Sequence, residues 1–309
     1  VSDPNLKSPR YWPSRVAVAL VHGLGHLPFP LLWALGQAIG RLSYYLARTR
    51  RRVGETNLEI CFPELSTQER ARLLRNHFGW LGVGALTQGH FLIATREQLQ
   101  RLIRLTGREH IDGPMAAGQP VICLYPHFVG LNLGGMGFGA LVHPGVFMYQ
   151  RLRDPVVDAE VLRARTRFGS VPVERQDDLR TLVRVIKSGA PFLYLPDQNS
   201  GRSQGVFVPF CGVLASTVPM LGRFARLTGA KVIPVYARFL PWGQGLELIF
   251  DPPLDPFPSK DAVADTAQMN RVIEARMRTM PEQYFWVHRR FRTRPLGEPP
   301  IYAPRRRRR

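Results

Sequence analysis

The sequence predicts an α/β fold in which a central, largely parallel sheet is flanked by helices, and three observations predict it. From Gly118 onward, short β-like runs each end in polar or glycine-rich residues: VICLY (121–125), GVFMY (145–149), PFLYL (191–195), KVIPVYARF (231–239) and LELIF (246–250). Between them, PVVDAEVLRARTRFG, DDLRTLVRVIKSG and VPMLGRFARLTGA carry apolar residues three or four apart, and the last two end at glycine, as helix C-termini commonly do. Strand alternating with helix implies parallel strands joined by crossover helices. With 309 residues, 45% of them hydrophobic, the chain can also bury a full-sized core.

The elements before residue 118 read differently. Val16 to Gly40 (VAVALVHGLGHLPFPLLWALGQAIG) holds no formal charge over a length that, at roughly 20 residues, suffices to cross a bilayer. His22, His26 and Gln37 interrupt it, and Pro28 and Pro30 break a helix near its middle. It therefore reads as two short helices in a membrane interface, as a span, or as an apolar hairpin packed on the core. Arg10 and Arg15 precede it, and Arg41, Arg48 and Arg50 to Arg52 follow, which puts the larger basic flank, the side that stays cytoplasmic, next to the main domain. A small-residue cleavage site does not follow it, which argues against a cleaved signal peptide. Residues 1–52 are read as the N-terminal membrane-associated segment, 53–304 as the main domain and 305–309 as a basic tail. After LEICFPEL (58–65), Ser66 and Glu69 form a capping box for the helix ERARLLRNHFGWLGVGALTQGHF. The three cysteines, Cys61, Cys123 and Cys211, are scattered and read as reduced, buried hydrophobes, without a disulfide or metal site.

Forty-two Lys and Arg against 23 Asp and Glu give a formal charge of +19, so the partner is expected to be anionic: nucleic acid, phosphorylated lipid, an acidic carrier protein or a membrane surface. Helix-turn-helix, zinc-finger and aromatic RNP-type signatures are missing, which argues against nucleic acid. Basic residues gather around Arg151 and Arg153, around Arg175 and Arg180, and at His288, Arg289, Arg290, Arg292 and Arg294. Such a strip suits phosphates, sugar-acid carboxylates or an acidic protein.

In parallel sheets, ligands sit beyond the carboxyl ends of the strands. His127, just after VICLY, and Asp197, just after PFLYL, both fall there. Asn132 follows His127 by five residues, about 140° out of register on a helix, so the two meet only if His127 lies in the turn before the first helical residue. A histidine held by a partner removes a proton from a hydroxyl and turns it into an acyl acceptor; a structural turn histidine is the competing reading. Asp197 shares that strand-end placement, and a turn or N-cap residue is its competing reading. GMGFG (135–139) lacks the spacing of a phosphate loop and reads as close-packing glycines that leave room for an acyl chain.

Over nearly its whole length the chain resembles the late acyltransferases of lipid A biosynthesis, within the glycerolipid-acyltransferase-like superfamily. The matches, in order, are PRYWPSRVAV, NLEICFPELSTQER, PHFVGLNLGG, LPDQNSG, VFVPFCGVLASTVPMLGRFARLTGA and PEQYFWVHRRFRTRP. The resemblance implies that residues 53–304 are an acyltransferase domain at the cytoplasmic face of the bacterial inner membrane. It implies transfer of an acyl chain from acyl carrier protein to a hydroxyl on a Kdo-bearing lipid A precursor, with no cofactor and no metal. The family hallmark is His, four residues, then Asp or Glu. His127 matches the base, Asp197 matches a conserved Asp, and Arg165, flanked by Arg163 and Arg167, matches an arginine near the active site that holds a phosphate or polarises the acyl carbonyl. Asn132 departs from the hallmark, because an amide orients a histidine without neutralising it. The expected catalytic set is therefore His127, Asn132, Asp197 and Arg165, with Arg151, Arg153, Gln198, Arg289 and Arg290 binding substrate. Three readings of Asn132 follow: an active enzyme in which Asp197 compensates, a slow enzyme, or a silent binder of anionic glycolipid. Another glycolipid in place of the lipid A precursor is a further alternative.

Overall fold

The computed structural model describes residues 6, 8–174 and 179–302; Arg175 and the basic tail 305–309 lie outside the described residues. Its strands are β1 (Ile103–Thr106), β2 (Val121–Leu124), β3 (Val146–Tyr149), β4 (Val171–Glu174), β5 (Phe192–Tyr194), β6 (Val206–Phe210), β7 (Val213–Thr217), β8 (Lys231–Phe239) and β9 (Leu246–Phe250). Seven form one sheet in the order β1-β9-β8-β2-β5-β3-β4, and β6 and β7 form a separate antiparallel hairpin. Within the large sheet β8 and β9 run antiparallel and the other pairs are parallel. The predicted architecture is thus present, with two strands, β9 and β1, running opposite to the other five.

The central strands VICL and FLY are buried throughout, as expected for strands covered on both faces. Because side chains alternate across a strand, Ile122 and Leu124 join one cluster with Phe128, Phe192, Tyr194 and Trp286, while Val121 and Cys123 join the other with Tyr125, Leu133, Met136 and Leu193. Burial of each such side chain contributes roughly 1.5–3 kcal/mol, which offsets the small pairing energy of strands this short.

The helices are α1 (Trp12–Leu24), α2 (Phe29–Leu46), α3 (Arg48–Cys61), α4 (Thr67–Leu86), α5 (Gln88–Ile93), α6 (Arg96–Leu102), α7 (Glu109–Ala116), α8 (Leu131–Leu141), α9 (Pro155–Thr166), α10 (Leu179–Lys187), α11 (Leu221–Thr228) and α12 (Ala262–Thr279). The capping box at Ser66 and Glu69 is formed, and the predicted long helix divides at Thr87 into α4 and α5. The charge-free segment breaks before Pro28 into α1 and α2, and among the described residues no helix is long and apolar enough to cross a membrane. Helix α2 is apolar on two faces. Phe29, Leu32, Gly36, Gly40 and Tyr44 are buried on one, where α2 crosses α4; Leu31, Leu35, Ile39, Leu42, Tyr45 and Leu46 stay exposed on the other, joined by Trp12, Val16 and Leu20 of α1. The crossing with α4 is close because both helices carry glycine there. A Cβ on Gly40 would stand 2.1 Å from the Phe78 carbonyl oxygen, and one on Gly82 2.0 Å from that of Gly36. Helix α3 runs without a break through position 52.

Four strands lie outside the five predicted. Strands β1 (IRLT) and β4 (VPVE) are short, half-exposed sheet edges with polar residues or proline among the apolar ones. Strands β6 and β7 turn on Cys211 and Gly212, both at positive φ (48° and 75°), a two-residue hairpin loop. Cys211 is for that reason only partly buried, unlike Cys61 and Cys123, which corrects the expectation for all three.

Candidate active site

Strand β2 and strand β5 end side by side, paired in parallel at Leu124 and Tyr194, and the chain leaves the sheet at both points. His127 occupies the turn between β2 and α8; Asp197 lies just beyond β5. The His127 Nδ1 is 2.6 Å from Oδ1 of Asp197, and the His127 backbone N–H donates to Oδ2 at 2.9 Å. The carboxylate therefore grips both the ring and the backbone of the histidine. Its side chain is 1% exposed and that of His127 19%, so the base reaches solvent and its partner does not. Burial pushes the Asp197 carboxyl up, but the charge of His127, its two hydrogen bonds and Arg290 together outweigh this and hold it below the usual carboxylate range. With Asp197 ionised, Nδ1 carries the proton and donates it, which leaves the lone pair on Nε2.

The turn is held from the far side by the segment PEQYFWVHRRF. Phe285 N–H donates to the His127 carbonyl at 3.0 Å, and Val129 N–H to the Gln283 carbonyl at 2.8 Å. The Gln283 side chain brackets Phe239 at the end of β8, donating to its carbonyl at 2.9 Å and accepting from its N–H at 2.8 Å. Asn57 of α3 donates to the carbonyls of Trp286 and His288. In the LPDQNSG motif, Asn199 N–H donates to Nε2 of His288 at 3.1 Å, and Asn199 Oδ1 accepts from Thr293 N–H at 2.9 Å. His288 is held neutral, its pKa lowered to about 4: burial and the charges of His127, Arg290 and Arg50 outweigh the pull of Asp197. Tyr284 stays protonated, because burial and the adjacent Asp197 raise its phenol well above the usual value. Tyr284 and Asn57 are site residues that spacing alone did not reveal. Gln198 is exposed beside the pair and lines the small cavity next to His127.

Asn132 does not orient His127, which corrects the sequence reading. His127 does lie in the turn before α8, but Asn132, the second residue of that helix, finds its partners elsewhere. Its amide donates to Gln88 Oε1 at 3.2 Å, and its Oδ1 accepts from Nη2 of Arg165 at 3.2 Å. Arg165 lies over the rings of Phe147 and Tyr149, 5.6 and 6.0 Å from their centroids. The flanking arginines are committed elsewhere: Arg163 pairs with Glu160, and Arg167 donates to the carbonyls of Leu92 and Phe91. Arg165 and Asn132 stand at the wall of a cavity of about 90 Å³ whose other walls, Tyr125, Leu131, Met136, Phe147, Leu193 and Leu195, are mostly apolar. Tyr125 and Leu195 each precede a member of the pair by two residues, so this cavity opens behind the same two strand ends.

Of the remaining arginines assigned to substrate, Arg290 does not fit that role. It is 3% exposed and donates to the Ser216 carbonyl and to Thr217 Oγ1 of β7, where it also supports the charge of Asp197. Arg151 is exposed but paired with Glu174 at 2.8 Å; Arg153 is exposed at the end of β3. Arg289 instead lines a pocket of about 310 Å³ with Thr49, Arg50, Val53, Asn199, His288 and Arg292. Among the described residues no group of three or more His, Cys, Asp or Glu side chains converges as metal ligands.

Residues 2–293 match the family described as bacterial lipid A biosynthesis acyltransferase. The chain is 34% identical over 298 residues to the lipid A biosynthesis lauroyltransferase of Escherichia coli (strain K12), covering 96% of this chain and 97% of that protein. It is 30% identical over 295 residues to the palmitoleoyltransferase of the same organism, covering 95% of each. To a lipid A biosynthesis acyltransferase of Haemophilus influenzae it is 30% identical over 290 residues, covering 94% and 91%.

Proposed function

The chain belongs to the bacterial lipid A biosynthesis acyltransferase family, and from that premise we propose that it moves an acyl chain from acyl carrier protein to a hydroxyl of a Kdo-bearing lipid A precursor, with His127 as general base. The observation that carries this reading is the 2.6 Å contact between His127 and the buried Asp197. In the proposed reaction, Nε2 of His127 takes the proton of the acceptor hydroxyl as its oxygen attacks the thioester carbonyl. The resulting oxyanion collapses, the C–S bond breaks, and the carrier thiolate leaves with the proton that His127 returns. Asp197 stabilises the imidazolium formed in between; such base catalysis typically contributes 10²–10⁴-fold. Arg165 polarises the carbonyl, held in place by Asn132, and the apolar cavity takes the chain. The reaction needs no cofactor.

We place the enzyme on the cytoplasmic face of the inner membrane, where its carrier donor is found, docked by the exposed apolar face of α1 and α2. The exposed rim of Arg15, Arg41, Arg48 and Arg52 supports this, since basic residues near an anionic bilayer surface each add about 1 kcal/mol. The silent-binder alternative drew on Asn132 as a defective partner of the base, and its position beside Arg165 removes that support. The test is to incubate purified protein with lipid A precursor and acyl carrier protein loaded with chains of several lengths, then read the lipid by mass spectrometry. One added acyl mass is expected; no added mass with any donor sinks the reading.

A further inference from the structure

Arg50, Arg289 and Arg292 converge from two distant parts of the chain, the start of α3 and the segment after Trp286. Among the described residues none of the three has an acidic partner. Arg50 donates through Nη1 to the Val287 carbonyl at 3.1 Å, Arg289 lies 5.7 Å over the Tyr302 ring, and Arg292 is exposed. Neighbouring arginines are engaged: Arg290 with Ser216 and Thr217 of β7, and Arg294 with Glu298. The nearby carboxylate, Asp197, is committed to His127. Three uncompensated guanidinium groups thus line one concavity of about 310 Å³.

The place of this concavity says what it takes. Its wall includes His288 and Asn199, and Asn199 is two residues from Asp197, so it adjoins the catalytic pair. Its lining also includes Thr49, three residues after Leu46, where the exposed apolar face of α2 ends; Leu46 is 74% exposed. An amphiphile with its tails against that face therefore meets the arginines with its headgroup.

We propose that Arg50, Arg289 and Arg292 form an anion site for a phosphate on the headgroup of the lipid acceptor, which sets that headgroup so that its acceptor hydroxyl reaches His127. This deepens the acyltransfer reading and rests on it for the identity of the lipid. Arginine presents a planar fork of donors suited to bidentate binding of a phosphate.

The test measures binding without acyl donor, so that no turnover occurs. The probes are a bis-phosphorylated tetraacyl disaccharide lipid in neutral detergent, the same lipid after phosphatase treatment, and inorganic phosphate as competitor. Arg50→Gln with Arg292→Gln is expected to weaken binding of the phosphorylated lipid at least tenfold and to leave the dephosphorylated lipid unchanged. Arg101→Gln, an exposed arginine of α6, should change neither, and Arg292→Lys should restore part of the loss. In turnover the double variant should raise KM for the acceptor and leave KM for the acylated carrier protein unchanged. Equal loss for both lipids, no loss, or a defect confined to the carrier protein overturns the proposal. So does inorganic phosphate that displaces the lipid at equal concentration, because the site would then serve free phosphate. Phosphate-dependent binding without any acyl transfer would overturn the enzymatic reading and leave the anion site standing.

Discussion

Replacing Asp197 with Asn keeps the shape of the side chain and removes its charge, which isolates what the carboxylate does for His127. Where the orienting Asp of a protease triad becomes Asn, turnover falls about 10⁴-fold through the wrong imidazole tautomer. Because Asp197 contacts Nδ1 at 2.6 Å, Asp197→Asn is expected to lower kcat by about 10³–10⁴-fold while the chain stays folded by circular dichroism. A loss under tenfold would remove Asp197 as the partner. Asn132→Asp places its new carboxylate against Arg165, so the rate should stay within about threefold of wild type; a rise of several hundredfold would mean that position 132 reaches the base. A separate expectation concerns His77, fully buried with its pKa lowered to about 4, chiefly by burial against a backbone hydrogen bond to Glu282. The unfolded chain protonates it near pH 6.5 and the folded chain only near pH 4, so stability is lost as pH falls through that window and is full above it. The difference is on the order of 3 kcal/mol, and His288 acts in the same direction. Urea unfolding at pH 4.5 and 7.5 checks this, and His77→Gln should flatten the pH dependence by about half. His127 and Asp197 were legible in the sequence because each terminates an apolar strand. Tyr284 was not, and Arg290 was given the wrong role, because their partners lie far along the chain and the run PEQYFWVHRRF carries no periodicity that sets one residue apart.

Among the elements, the α2–α4 crossing depends on the absence of side chains at Gly36, Gly40 and Gly82. Gly40→Ala would drive a methyl group into the Phe78 carbonyl, and overpacking of this kind costs typically 1–3 kcal/mol. The expected result is a lower urea midpoint and faster proteolysis between α1 and α2; an unchanged midpoint would show that the helices separate freely. In α8, a Cβ on Gly135 meets nothing closer than Tyr125 Cε1 at 3.7 Å, whereas Gly134 and Gly137 press against neighbours. Since Gly135 lines the apolar cavity, Gly135→Leu should shift donor preference toward shorter acyl chains, read by competition between loaded carriers. The five core strands and the helices between them were legible because their apolar runs are long or periodic. The edge strands β1 and β4 were not, being half exposed and interrupted by polar residues or proline. Asn132 was misassigned because its spacing from His127 allows a contact without fixing one, whereas its actual partners, Gln88 and Arg165, come from α5 and α9.

At the scale of the molecule, the charge-free stretch 16–40 serves two surfaces, one sealed by α4 and one left open beside exposed arginines. Leu42→Glu with Leu46→Glu is expected to reduce sedimentation with vesicles of anionic lipid at least tenfold without changing the melting temperature. Raising salt should weaken wild-type binding only in part, because screening acts on the arginine rim and not on the apolar face. Sequence composition pointed to an anionic partner and marked the apolar segment; which arginines are already paired could be settled only by the fold.

The bracket on His127 has a consequence in time. Its ring is fixed by a residue 70 positions onward, and its carbonyl by one 158 positions onward. Contacts so distant in sequence close late, after local helices have formed. During refolding from urea, helical circular dichroism should therefore return before transfer activity. A chain arrested part-way would keep its N-terminal helices yet be unable to transfer an acyl group.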